Sequence, residues 1–102
     1  MKLILRNSAK NLIKTISFDK FELFQNFISE LSAFKNPTEA TLITANEGIT
    51  SLELAKFKLN LKKLNINFSE IYSTNRETVL SGKSLKINSI LSNINDNRNK
   101  SF

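Results

Sequence analysis

Ser81-Gly82-Lys83-Ser84 ends as a phosphate-binding loop does, with a Lys placed to reach phosphate oxygens and a hydroxyl beside it. The complete pattern needs a second Gly five residues before Gly82, and Glu77 stands there, so no phosphate cradle is expected. Asn67-Phe68-Ser69 and Asn99-Lys100-Ser101 match the N-glycosylation sequon, which has meaning only in a secreted chain. Met1-Lys2 is followed only by Leu3-Ile4-Leu5 before Arg6, so no secretory leader is expected. No apolar run approaches the ~20 residues that span a bilayer, so the expected location is cytoplasmic, without membrane insertion.

Acid–base and metal chemistry find little to use. The 102 residues include no His, the commonest general base and transition-metal ligand, and no Cys, which removes disulfides and thiolate zinc sites. The nine Asp and Glu form no pair with an evident acid/base arrangement, and Tyr72 reads as a strand residue. The chain is therefore expected to be no enzyme, with no catalytic residues, no metal and no cofactor.

The net charge of +6 admits nucleic acid as a partner class. The fifteen basic residues are scattered, however, and abundant Lys, Asn and Ile suit an AT-rich coding sequence. Only Lys56, Lys58, Lys62 and Lys63 cluster. They define an alternative reading as a basic nucleic-acid-binding protein, whose affinity would fall steeply with salt.

Three helix-start signals order the chain. Asp19/Glu22, Thr50/Glu53 and Thr74/Glu77 have capping-box spacing: the first side chain accepts from an orphan helical N–H, and the Glu reaches back. Each box follows closely on a strand-like run. The predicted order begins with a hairpin of strands over 2–6 and 12–18 about a polar turn. A helix over 19–34 follows, with Phe21, Phe24, Phe27, Ile28, Leu31 and Phe34 on one stripe. Asn36-Pro37 breaks it, 40–45 reads as a central strand and 65–72 as a further strand; between them 51–64 reads as the second helix from its capping box, although Phe57-Lys58-Leu59-Asn60-Leu61 also alternates as a strand would. A short helix near Asn75, ended by Gly82, completes the domain; Leu85-Lys86-Ile87 offers a little more strand. Residues 1–87 are thus expected to form one small α/β domain with a mixed sheet, and 88–102 a polar, disordered tail in which Ile90, Leu91 and Ile94 favour at most a weak helical turn.

The second helix is where a partner is expected. Leu54, Phe57, Leu61 and Leu64 form its main stripe, while Leu52, Ala55 and Leu59 lie roughly opposite. A helix on one face of a sheet buries one stripe, so the other is left for another protein or a second copy. The candidate partner-binding residues are Gly48, Ile49, Thr50, Ser51, Leu52, Ala55 and Leu59.

The order strand–strand–helix–strand–helix–strand–helix resembles the STAS domain, named for sulfate transporters and anti-sigma-factor antagonists. In that family a phosphorylatable Ser or Thr lies in an Asp-Ser/Thr-x-Gly stretch entering the second helix. The matching stretch is Thr50-Ser51-Leu52-Glu53, so the resemblance makes Ser51 the phospho-acceptor, with Thr50 in place of Asp and Glu53 in place of Gly. Asn75-Arg76-Glu77-Thr78-Val79-Leu80-Ser81-Gly82 looks like the family's last helix and its Gly. The resemblance implies a non-enzymatic regulatory module whose partner is a kinase, a sigma-regulatory protein or a transport component.

A second, local resemblance covers 36–76. Ile43-Thr44, Asn46-Glu47, Glu53, Lys56, Leu61, Ile66 and Asn75-Arg76 look like a segment of arsenite-transporter-type ATPases, with Asn46 for the family's Pro and Lys56 for its Arg. Without a P-loop, this implies a degenerate fragment with no ATPase activity.

Overall fold

β1 (Lys2–Arg6) alternates strictly, turning Leu3 and Leu5 inward and Lys2, Ile4 and Arg6 to the other side. The turn that follows is held by Asn7, whose Oδ1 accepts from the N–H groups of Ala9 and Asn11, while Lys10 takes a left-handed φ of 68°. β2 (Leu12–Ser17) returns antiparallel to β1, so the expected hairpin is present. The computed structural model describes residues 1–21 and 37–92. The remainder of the helix expected over 19–34 lies outside them, as does Glu22 of the first capping box and most of the expected tail.

β3 (Glu39–Thr44) pairs antiparallel with the far edge of β1. Two β–α–β units follow: α1 (Ser51–Lys63) leads to β4 (Asn67–Ser73), and α2 (Arg76–Ser84) leads to β5 (Asn88–Leu91). β3, β4 and β5 are mutually parallel, and the sheet order is β2-β1-β3-β4-β5. Between Ala40 and Thr41 the register shifts, leaving Ser69 as the extra residue of β4; its hydroxyl donates to the Ala40 carbonyl. The α/β class and mixed sheet are those expected.

The core lies between one face of the sheet and the helices. Leu3, Leu5, Ala40, Leu42, Phe68 and Ile71 meet Leu54, Phe57 and Leu61 of α1. Phe57 is its centre, with edge-to-face rings of Phe21 and Phe68 at centroid distances of 5.1 and 5.3 Å.

Both helices stop in the same way. Asn65 and Lys86 sit at φ 62°, the N–H of Ile66 donates to the Leu61 carbonyl, and that of Ile87 to the Gly82 carbonyl. These are Schellman endings, which satisfy last-turn carbonyls and bury the apolar residue that follows. Gly82 therefore does not end α2 but lies inside its last turn. A Cβ there would overlap Ser89 Oγ and stand 2.8 Å from Ile71 Cδ1, so the glycine is required by the approach of α2 to β4 and β5. The strand expected at 85–87 forms instead at Asn88–Leu91, beyond the boundary expected at 87. The cause is register: Asn88–Leu91 pair with Glu70–Ser73, burying Ser89 under Gly82, a long-range gain that local polarity conceals.

Candidate functional site

The start of α1 is built from three elements. Thr50 Oγ1 accepts from the Glu53 N–H at 3.2 Å, and Glu53 Oε1 accepts from the Thr50 N–H at 3.1 Å, completing the predicted capping box. The preceding loop is tied to α2. Thr78 is fully buried; its hydroxyl donates to the Glu47 carbonyl and accepts from the Ile49 N–H, both at 2.9 Å. Asn75 Nδ2 donates to the Asn46 carbonyl at 2.9 Å, and Thr74 Oγ1 donates to Asn46 Oδ1 at 3.0 Å. Glu47 accepts from the Phe21 N–H at 3.0 Å.

Those bonds correct the third capping box. The N-cap of α2 is Asn75, whose Oδ1 accepts from the Thr78 N–H, while the Thr74 hydroxyl is engaged by Asn46. Either side chain satisfies the orphan donor, and the Asn46 contacts decide between them.

The expected partner-binding residues separate into two groups. Leu52 and Leu59 are 65% and 55% exposed, seven residues apart on the side of α1 that faces away from the sheet. Ala55 is half-buried beside them, and Gly48, Thr50 and Ser51 are exposed. Ile49 belongs to the core at 2% exposure, because its N–H is anchored on Thr78 and its side chain turns under the loop, so no partner reaches it. On α2, Leu80 is 59% exposed and adds a third outward leucine to the helical layer. Sequence reasoning missed Leu80; the signal was the pair Val79-Leu80, in which only one residue can face the sheet.

The lysine cluster is divided in its surroundings. Lys58 Nζ donates to the Leu85 carbonyl at 2.9 Å, closing the end of α2, while Lys56, Lys62 and Lys63 are exposed. Ser81-Gly82-Lys83-Ser84 lies in the last turn of α2, where helical backbone cannot form a phosphate-binding loop. Among the described residues no group of His, Cys, Asp or Glu is placed to hold a metal ion, and no helix is long and apolar enough to cross a membrane.

The chain is 57% identical over 100 residues to the probable septum site-determining protein MinC of Prochlorococcus marinus subsp. pastoris (strain CCMP1986 / NIES-2087 / MED4). The match takes in 98% of this chain and 46% of that protein, so the chain spans about half the length of its relative. No family model and no solved structure matches it.

This likeness overturns both family resemblances drawn from the sequence. The STAS resemblance rested on element order and on Thr50-Ser51-Leu52-Glu53, which the structure accounts for as a helix cap. The resemblance to arsenite-transporter-type ATPases rested on residues that here have structural duties: Asn46 and Asn75 bind one another's loops, and Glu53 closes the capping box. Both local patterns arise from the demands of β–α–β junctions, which many unrelated α/β chains share. The STAS-type regulatory function, the nucleic-acid reading and the ATPase-fragment reading fall with them. So does the family argument that had marked Ser51 as a phospho-acceptor; Ser51 stands exposed as the first residue of α1.

Proposed function

We propose that this chain takes part in determining the site of the division septum, acting in the cytoplasm by binding another protein rather than by catalysis. The observation that carries the reading is the 57% identity over nearly the whole chain to a probable septum site-determining protein. A non-enzymatic domain acts through the surface its core and helix caps hold in place. The absence of His and Cys from the sequence supports a binding role.

The surface proposed for the partner is the outward side of α1, with Leu52 and Leu59 as apolar anchors and Ala55, Gly48, Thr50 and Ser51 around them. Two large leucines exposed on one helix stripe fit the helix-face mode of recognition, in which buried anchors supply most of the affinity.

The test is a hybrid in which this chain replaces the matching 100 residues of the relative in its own cell. Septum positions are then scored by membrane staining. The hybrid is expected to hold septa where the native protein does, and the Leu52→Asp/Leu59→Asp double variant to scatter them while retaining the native circular dichroism. Scattered septa with the unmodified chain would refute the septum reading. Normal placement by the double variant would refute the α1 surface alone.

A further inference from the structure

The helices cover one face of the sheet, and the opposite face carries its own ordered surface. Registers place Ser17, Lys2, Ile43, Tyr72 and Ile90 side by side across all five strands. The adjacent row runs Thr15, Ile4, Thr41, Glu70 and Asn88. Ile43 and Ile90 are 36% and 37% exposed, and Ile4 and Tyr72 are half-buried. Ile4, Arg6, Ile43 and Tyr72 contribute to the lining of a shallow hollow on this face. Parallel strands ordinarily have both faces covered, yet on this face of β3–β4–β5 Ile43 and Ile90 remain partly exposed beside the buried Thr41.

The charges on this face are unevenly satisfied. Glu39 is engaged by Lys10, and Glu70 accepts from the Tyr72 hydroxyl at 3.3 Å and from Asn88 Nδ2 at 3.4 Å. Lys2 and Arg6, on the same side of β1, make no side-chain ion pair or hydrogen bond among the described residues. The face thus presents an apolar band with Lys2 and Arg6 free of ion pairs among the described residues on one side, while Glu70 within it carries a charge that its neutral donors, Tyr72 and Asn88, do not offset.

Size selects the kind of occupant. Five strands about 4.8 Å apart and four or five residues long offer roughly 350 Å². A stable protein interface takes about 800 Å² from each partner, so the face alone is too small for a lasting dimer of this chain. It does match one helix about 10 Å wide, since Ile43 to Ile90 spans two strand spacings, or about 10 Å.

We infer that the exposed sheet face docks a single acidic amphipathic helix of a partner protein, its apolar stripe on Ile43, Tyr72 and Ile90 and its carboxylates reaching Lys2 and Arg6. The inference stands independently of the α1 surface, which lies on the other side of the molecule.

The probe is a synthetic 16-residue helical peptide with Leu at i, i+3, i+4 and i+7 spacing and Glu elsewhere, compared with a sister carrying Lys for every Glu. Titration into the full isotope-labelled chain is expected to shift amide signals of Ile4, Thr41, Ile43, Tyr72 and Ile90. The Glu peptide should bind at least tenfold tighter than its sister, and Lys2→Glu/Arg6→Glu should weaken it at least tenfold. Should that variant lose its native circular dichroism, Ile90→Asp on the edge strand serves instead with the same expectation. Shifts confined to Lys56, Lys62 and Lys63 would show unspecific attraction to a basic chain and overturn the inference. Shifts centred on Leu52 and Leu59, equal binding of both peptides, or no response would do so too. Self-association in sedimentation, abolished by Ile90→Asp, would assign the face to a second copy instead.

Discussion

Gly82 shows how a single residue can mislead the eye and then constrain the fold. Beside Lys83 and Ser84 it imitates a nucleotide motif, and near a helix end it imitates a terminator, yet its role is the absence of a side chain. Gly82→Ala sets two effects against each other. Alanine favours a helix interior by about 1 kcal/mol over glycine, whereas forcing a methyl group into a filled site costs about 1–3 kcal/mol. Because the new Cβ would overlap Ser89 Oγ and crowd Ile71, the steric term wins. Chemical denaturation should show Gly82→Ala destabilised by up to about 2 kcal/mol. Adding Ser89→Ala, which removes the first obstacle, should recover part of the loss; no recovery would mean that Ile71 alone sets the limit. At this scale the sequence was legible where a bond is local, as in the Thr50–Glu53 box, and illegible where a distant strand decides, as for Gly82, Ile49 and Thr78. Thr78 reads as an ordinary helix residue, but its hydroxyl bridges Glu47 and Ile49, some thirty positions away in the chain.

The elements were legible in proportion to how much of their pattern is periodic. β1 alternates cleanly and lies where the spacing places it, whereas α1, which also alternates over 57–61, was legible as a helix through its capping box and its Leu54-Phe57-Leu61 stripe. β5 was missed because Asn88-Ser89-Ile90-Leu91 is polar at its start, and only pairing with β4 makes it a strand. The end of α2 was also misjudged, since it does not stop at Gly82. Lys86 carries φ 62° at the close of α2, a conformation costing roughly 1–2 kcal/mol for a residue with a Cβ. Lys86→Gly relieves that cost but gives back roughly 0.5–1 kcal/mol of unfolded-chain entropy. The variant should therefore be about 0.5–1 kcal/mol more stable, seen as a later denaturant midpoint at unchanged slope. A lower midpoint would show that the lysine side chain contributes more to this turn than its backbone costs. Asn65, at the same position after α1, tolerates the left-handed region better, so Asn65→Gly should gain less.

The described residues form two layers with two distinct outward surfaces: leucines on the helical layer, and an apolar band edged by cations on the sheet. The sheet lies between them, and neither surface shares a residue with the other. Substitutions that far apart without common partners add, to within about 0.3–0.5 kcal/mol. A partner that touches both surfaces would need two segments reaching around the domain, and loss of either anchor would then weaken the other's contribution. Two separate partners would behave otherwise: Leu52→Asp/Leu59→Asp would abolish one association and leave the acidic-helix titration at the sheet unchanged, and Lys2→Glu/Arg6→Glu would do the reverse. We expect this second pattern, because the apolar residues lie on opposite layers and no described side chain connects them. The check is a double-mutant cycle with both pairs of substitutions, read by septum placement in the hybrid and by peptide affinity at the sheet. Independent effects in the two readouts would describe a domain that joins two proteins at the division site. Coupling between them would mean that the surfaces serve one partner, and the separate sheet-face partner would be withdrawn.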